Sequence, residues 1–334
     1  MMRAVQFDRF GGSEVLEVRT VPVPSPSGGE VLVRVHASGL NVKDPVVRGG
    51  AFRLLHRGAG FPHGTGFDFA GEIAAIGEGV TDLAVGQPVW GFLDGAKGGA
   101  AAEYVVVRGD WLAAKPESLD WVTAAALPLV ATTALQALRD RARLRAGEHV
   151  LIKGASGGVG TATIQVAKAL GAHVTALASR DSLAVARALG ADVAVDHRRT
   201  HPRELGRRFD VFIDAAGESP LSTFRKALAP RARWVTVAPD LRIYVLAPIT
   251  WIVAPLIGAP RLDFVAVRPK RADLEEVGRL ADRGLLRMPV TATYHLEDIR
   301  AAHDAVAGRH GRGKRVVIVS AEAAREIASS GPAG

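Results

Sequence analysis

The sequence predicts an α/β fold: a doubly wound parallel sheet domain inserted into a β-rich domain. Three observations predict it. The early part of the chain carries short alternating or apolar runs between glycine-rich turns. From about Trp121 such runs alternate with helical stretches closed by glycine. A last apolar run, 315–319, returns to the texture of the beginning.

Taken in order, Met1-Met2-Arg3-Ala4-Val5-Gln6-Phe7 enters an alternating pattern at once, with no apolar or basic amphipathic presequence, which predicts a cytoplasmic protein. The runs 31–36, 72–76 and 88–91 read as strands of an antiparallel, barrel-like set. A long helix is expected over 122–143. Strands at 150–152, 174–178, 193–195, 211–213 and 234–237 then alternate with helices ending in Lys168-Ala169-Leu170-Gly171 and Ala188-Leu189-Gly190. After a strand at 264–267, a helix over 272–283 leads back, and the strand 315–319 rejoins the first domain. The expected domains are therefore 1–121 together with 271–334, enclosing 122–270, with the tail from Ala321 loosely ordered and partly helical at most.

Composition limits the function. A chain of 334 residues, 48% hydrophobic and 23% charged, buries a sizeable core and is not disordered. It has no cysteine, which removes disulfides, thiolate zinc ligands and cysteine nucleophiles. The net charge of +8 comes from 42 basic residues, only eight of them lysine, spread between acids without aromatic interleaving. A nucleic-acid footprint concentrates its charge, so no nucleic-acid partner is expected, and attraction of an anionic cofactor is the simpler use. The apolar stretch 243–260 is interrupted by Pro248, Pro255 and Pro260 and is shorter than a span of about 20 residues, so no transmembrane segment is expected. It must cover something. Because it follows the strand 234–237, it is expected to roof the substrate site with Trp251 and Leu256, a subunit interface or loose membrane contact being the alternatives.

The run 150–160 is a strand, a glycine-rich turn and a helix start, the context of a dinucleotide-binding loop. Ala155, Ser156, Gly157, Gly158, Val159 and Gly160 form the turn, with Ala155 where the first glycine of the usual pattern stands. Gly157 allows the backbone to approach a pyrophosphate, Gly160 allows helix and strand to pack, and the helix terminus offers free N–H groups. The end of the second strand usually carries an acid for the ribose of NAD. Here it carries Ser179 and Arg180, a hydroxyl and a guanidinium suited to a 2′-phosphate, so NADP(H) is expected. The alternative is that Asp181 takes the ribose and Arg180 faces solvent.

Several motifs in order resemble the medium-chain dehydrogenase/reductase superfamily: Arg3-Ala4-Val5 with Phe10-Gly11-Gly12, Gly29-Glu30-Val31-Leu32-Val33-Arg34-Val35, Ser38-Gly39-Leu40-Asn41-Val42-Lys43-Asp44, Gly66-Phe67-Asp68-Phe69-Ala70-Gly71 and the loop above. They look like its zinc-free quinone oxidoreductase branch. The apolar insertion followed by Phe264-Val265-Ala266-Val267-Arg268-Pro269 looks most like the reticulon-4-interacting-protein-like NADPH oxidoreductases. The resemblance implies a Rossmann domain set into a GroES-like catalytic domain. Where the zinc-dependent relatives carry cysteine and histidine ligands, Asn41 and Phe67 stand here, so no metal is expected.

The resemblance also implies roles. Asn41 would lie beside the nicotinamide and donate to cofactor or substrate, and Asp44 would line the same pocket or hold Asn41 in place. Thr133 would touch the nicotinamide ribose or carboxamide, and Gly217 the adenosine side. His197 stands where a cofactor-contacting tyrosine often lies, an imidazole facing solvent being an equal reading. Lys43 is expected to point to solvent. The ring would be buried between the two domains with water supplying the proton. Three functions stay open: an NADPH reductase of quinones or α,β-unsaturated carbonyls, a metal-free carbonyl or alcohol dehydrogenase, and a non-catalytic NADPH-binding module; a homodimer or a monomer is expected.

Overall fold

The computed structural model describes residues 1–51, 60–95, 97–206, 208–217, 221–238, 241–308 and 313–330. The strands are β1 (Met2–Phe7), β2 (Glu17–Val21), β3 (Glu30–Leu40), β4 (His63–Gly64), β5 (Asp68–Ile76), β6 (Pro88–Phe92), β7 (Tyr104–Arg108), β8 (Leu112–Ala114), β9 (His149–Lys153), β10 (His173–Ala178), β11 (Val193–Asp196), β12 (Phe209–Asp214), β13 (Leu228–Thr236), β14 (Arg261–Phe264), β15 (Val290–His295) and β16 (Lys314–Ile318). The helices are α1 (Lys43–Arg48), α2 (Trp121–Ala126), α3 (Pro128–Leu135), α4 (Gly158–Ala169), α5 (Leu183–Ala188), α6 (Leu221–Phe224), α7 (Leu241–Ile257), α8 (Arg271–Asp282), α9 (Ile299–Ala307) and α10 (Ala321–Ser330). They form two units: Met1–Leu129 with Arg268–Asp282 and Met288–Gly334, and Val130–Val267 with Arg283–Arg287.

In the first unit the apolar run of β3 makes it the spine of a mostly antiparallel sheet ordered β15-β16-β3-β5-β6-β8, with β7 also paired to β3. One edge of β3 pairs with β5; the other is shared, its beginning with β7 and its end with β16. Val31, Val33, Val35, Phe69, Trp90 and Phe92 are buried in its core. Leu40 faces Arg315 and Ala37 faces Ala70. This register brings Asn41, Asp68 and Lys314, from the ends of three strands, to one end of the sheet.

In the second unit six parallel strands run β11-β10-β9-β12-β13-β14, and the order reverses between β9 and β12. This is the doubly wound order, whose ligand crevice lies beyond the carboxyl ends of the strands at that reversal. Its core centres on Phe212, stacked on Phe224 at 4.5 Å and edge-on to Trp234 at 4.6 Å.

Four local expectations change. The helix expected over 122–143 is α2, α3 and a π-helical turn, Gln136–Arg141. Pro128 lacks an N–H, so it ends α2 and suits the first position of α3. The strand expected at 264–267 is β14, which ends at Phe264. The tail is helical over α10, with Ala323 buried and Glu326 accepting from the N–H of Trp121 at 2.9 Å; residues 331–334 lie outside the described residues.

The fourth change concerns 243–260, which is the crossover helix α7 from β13 to β14. Pro248 and Pro255 lie inside it but are exposed, where water can satisfy the carbonyl that each leaves without a donor. The helix runs back along β14: Tyr244 packs on Phe264 at the end of that strand, at 4.7 Å, whereas Trp251 lies under Arg261 at its start, at 3.9 Å. Trp251 and Leu256 are therefore at the amino-terminal end of the sheet, opposite the end where ligands bind, and do not roof the substrate site.

Candidate active site

In the first unit, buried polar side chains gather where β3 ends and β5 and β16 begin. Lys314 Nζ donates to Asn41 Oδ1 at 2.5 Å and to Asp68 Oδ2 at 3.0 Å, and Asn41 Nδ2 donates to the same Asp68 oxygen at 2.9 Å. The other Asp68 oxygen accepts from the N–H of Leu129 at 2.7 Å. Lys314 and Asp68 are 4% and 0% exposed, so the pair survives only because its remaining polar atoms are met. The Asn41 amide is engaged on both sides. Among the described residues its second N–H has only the carbonyl of Gly39, 3.4 Å away.

A second chain of contacts leads to Asp44. Its Oδ2 accepts from the N–H of Asn41 at 2.8 Å; its Oδ1 accepts from the N–H of Gly66 at 2.7 Å and the hydroxyl of Thr65 at 3.0 Å. Thr65 Oγ1 also meets His303 Nε2 at 3.0 Å, and Arg48 Nη1 meets His303 Nδ1 at 3.1 Å. A guanidinium can only donate, so His303 accepts on Nδ1 and donates from Nε2 to Thr65, which donates to Asp44. Burial, reinforced by Arg48, pushes His303 down to about 3, so the ring is neutral. Burial pushes the Asp44 carboxyl up to about 6 against its three hydrogen bonds and Lys314. Asp44 thus ties the backbone of Asn41 to the loop 65–66.

Lys43, expected in solvent, is half-buried, with Nζ 4.0 Å from the ring centroid of Phe67 and its pKa lowered by burial. Among the described residues no group of three or more His, Cys, Asp or Glu side chains is placed to hold a metal ion.

In the second unit the loop from β9 to α4 has the shape its residues predict. Gly154 turns with φ +76°, and a Cβ on Gly160 would lie 2.1 Å from the carbonyl oxygen of Gly154, so only glycine lets α4 start this close to the strand. At Gly157 a Cβ would meet nothing nearer than 3.6 Å, leaving a cradle that a side chain would fill. Gly157 caps α4 with no side chain, so the first N–H groups of that helix, at Gly158, Val159 and Gly160, are left for an anion. Ala155 is buried and Ser156 half-buried beside them. These features fit a dinucleotide pyrophosphate.

The other expected contacts follow adjoining strands. Ser179 follows β10, half-buried, its hydroxyl 3.1 Å from that of Ser182, and Arg180 is exposed. The N–H of His197 donates to the carbonyl of Ala178 at 3.1 Å, which brings exposed His197, Arg198 and Arg199 to the edge that holds Ser179. Gly217, with φ +73°, follows β12; its N–H donates to Asp214 at 2.9 Å and its carbonyl accepts from Lys153 at 3.0 Å. Thr133 is buried in α3 of the same unit.

Sequence reasoning missed Asp68, Lys314, Thr65 and His303 as site residues. Asp68 lay inside a quoted motif. A lysine before an apolar strand, in a chain with only eight lysines, was the available signal for Lys314. Nothing local marked His303.

The zinc-binding dehydrogenase family matches residues 189–317 and the alcohol dehydrogenase GroES-like domain residues 27–117. The chain is similar to the chloroplastic quinone-oxidoreductase homolog of Spinacia oleracea, 31% identical over 95% of this chain and 98% of the relative. It is also similar to the mitochondrial NAD(P)H oxidoreductase RTN4IP1 of Danio rerio, 33% identical over 96% and 92%. Among solved structures it resembles the quinone oxidoreductase from Coxiella burnetii, 30% identical, TM-score 0.86, covering 96% of this chain and 99% of that one. Joined to the loop geometry, these likenesses show that the chain belongs to the quinone oxidoreductase branch of the medium-chain dehydrogenase/reductase superfamily, as an oxidoreductase that uses a nicotinamide cofactor.

Proposed function

We propose that the protein reduces a quinone or an α,β-unsaturated carbonyl at the expense of NADPH, with no metal in the step. The observation that carries this reading is the contact of Lys314 with Asn41. An ammonium on Oδ1 draws charge from the amide and makes its N–H groups stronger donors. One N–H is held by Asp68; the other is the preorganised donor for a substrate oxygen that gains negative charge. When bound, the reduced nicotinamide supplies the hydride. Asp44 keeps the backbone of Asn41 in register, and as an acceptor of three hydrogen bonds it is not the proton source, which we assign to water.

Three features support NADPH over NADH. Ser179 stands where an acid would repel a 2′-phosphate, Arg180 follows it, and His197 to Arg199 add positive charge at the same edge. Thr133 and Gly217 are assigned to the nicotinamide and adenosine ends, and the loop 155–160 to the pyrophosphate. The absence of cysteine and the phenylalanine at position 67 support a step without metal.

Oxidation of NADPH measured against a water-soluble quinone, an enone and a saturated ketone tests the reading. Turnover with the quinone or the enone, and not with the ketone, is expected. Selective turnover of the ketone would instead make the protein a carbonyl reductase.

A further inference from the structure

Helix α7 is built inside out. Ala247 and Ala254 are buried and Ile243 and Thr250 half-buried, a stripe at spacings of four, three and four that faces β14. Thr250 pins this stripe to the sheet: its Oγ1 accepts from the N–H of Leu262 at 3.0 Å and donates to the carbonyl of Ala247 at 2.9 Å. The large apolar side chains point the other way. Ile252, Leu256 and Ile257 are 73%, 82% and 70% exposed, and Tyr244, Ile249 and Val253 join them. An apolar helix of this kind is ordinarily covered all round.

Two features identify the cover. The first is charge. Between Leu241 and Leu262 there is no acidic residue. Arginines surround the carboxyl end of the helix: Arg231 donates from its backbone to Gly258 at 3.2 Å, Arg261 stacks on Trp251, and its guanidinium donates to the carbonyl of Arg141 at 3.1 Å. Arg143 is exposed and close enough to Arg261 to lower its pKa, after the larger effect of burial. The neighbouring carboxylates are already committed, Asp263 to Arg141 at 3.8 Å and Glu148 to Arg233. The second feature is the lack of hydrogen-bonding groups. The outward residues of α7 are aliphatic or proline apart from Arg242, Tyr244 and Trp251, whereas a protein interface carries about one hydrogen bond per 100–200 Å². A second copy of this chain would bring no acid on its own α7 to meet these arginines.

We propose that the outer face of α7 docks on an anionic lipid bilayer. The helix, about 25 Å long at 1.5 Å per residue, lies in the plane of the interface with its aliphatic face below the headgroups. Arg143, Arg231 and Arg261 sit at headgroup level, where lipid phosphates and carboxylates supply the missing negative charge, and Trp251 takes the position favoured by interfacial aromatics. No described helix is long and apolar enough to cross a membrane, which agrees with a surface contact.

The full chain is floated with vesicles of phosphatidylcholine alone or with 30% phosphatidylserine at about 0.05 and 0.5 M salt, and its mass is followed by sedimentation equilibrium. Binding to the anionic vesicles, at least about tenfold above phosphatidylcholine and weakened by salt, is expected. Ile252→Asp with Leu256→Asp should abolish it at unchanged Tm, and Arg143→Glu or Arg231→Glu should weaken it by about fivefold each. No flotation with either vesicle, or equal flotation of parent and double variant, overturns the proposal. So does a dimer that the double variant dissociates while neither protein binds vesicles, which would assign the face to a second copy.

Discussion

Lys314 and Asn41 meet at 2.5 Å because β16 begins beside the end of β3, and the same ammonium lies 3.0 Å from Asp68. This contact joins the stability of the first unit to the donor strength of the amide. Lys314→Met should leave a buried carboxylate without its partner, at a cost of roughly 3–5 kcal/mol. Lys314→Met with Asp68→Asn should recover most of that stability in urea unfolding but not turnover. The expected kinetic signature is a kcat lowered by about tenfold or more with KM for NADPH little changed, because an interaction strengthened only in the transition state has been lost. A double variant with full kcat would refute the role given to the ammonium.

Cofactor preference should follow the edge that holds Ser179. Arg180→Ala removes one charge-assisted contact worth about 1.5–3 kcal/mol, so the ratio of NADPH to NADH affinity should fall by about tenfold or more. Ser179→Asp should reverse it, since a carboxylate there repels a phosphate and accepts from ribose hydroxyls. Binding titrations of both cofactors measure the change, and equal affinities in the unmutated protein would remove the basis for it.

Opposed pH dependences are expected from Asp44 and His303. The Asp44 carboxyl rises from an ordinary 3.8 to about 6 in the fold, so it contributes stability below 3.8 that is lost as pH rises through 6. His303 falls from 6.5 to about 3, so its contribution is present above 6.5 and is lost as pH falls toward 3. Between pH 4 and 6 the two slopes oppose each other. Asp44→Asn should therefore make Tm climb more steeply with pH over that window than in the parent, and His303→Gln less steeply. Calorimetry at pH 4, 5, 6 and 7 would show this, and parallel curves for all three proteins would contradict it.

Exhaustive chelation should leave NADPH oxidation unchanged. Stoichiometric zinc in the purified protein, together with loss of activity on its removal, is the opposite outcome. Metal analysis alongside the assay distinguishes them.

The pattern of apolar runs was enough for the fold class and for the loop 155–160, because strand and helix periods and the steric needs of Gly154 and Gly160 are local properties. With the resemblance of the motif 38–44 to the superfamily added, the sequence was enough, too, to single out Asn41 and Asp44, which lie three residues apart on one turn of chain. It was not enough for Lys314 or His303. These reach Asn41 and Arg48 across 273 and 255 residues, and only pairing of β16 with β3 and packing of α9 on α1 bring them in.

The apolar segment shows the same division. Composition alone determined that 243–260 is too apolar to lie bare, but its prolines pointed to a break that α7 does not have. Which end of the sheet it reaches was decided by tertiary structure: Thr250 locks the helix to Leu262, so it runs antiparallel to β14 and carries Trp251 to the start of that strand. Periodicity tells which residues share a face. It carries no information about which strand that face meets or in which direction, because those depend on contacts between parts of the chain far apart in sequence.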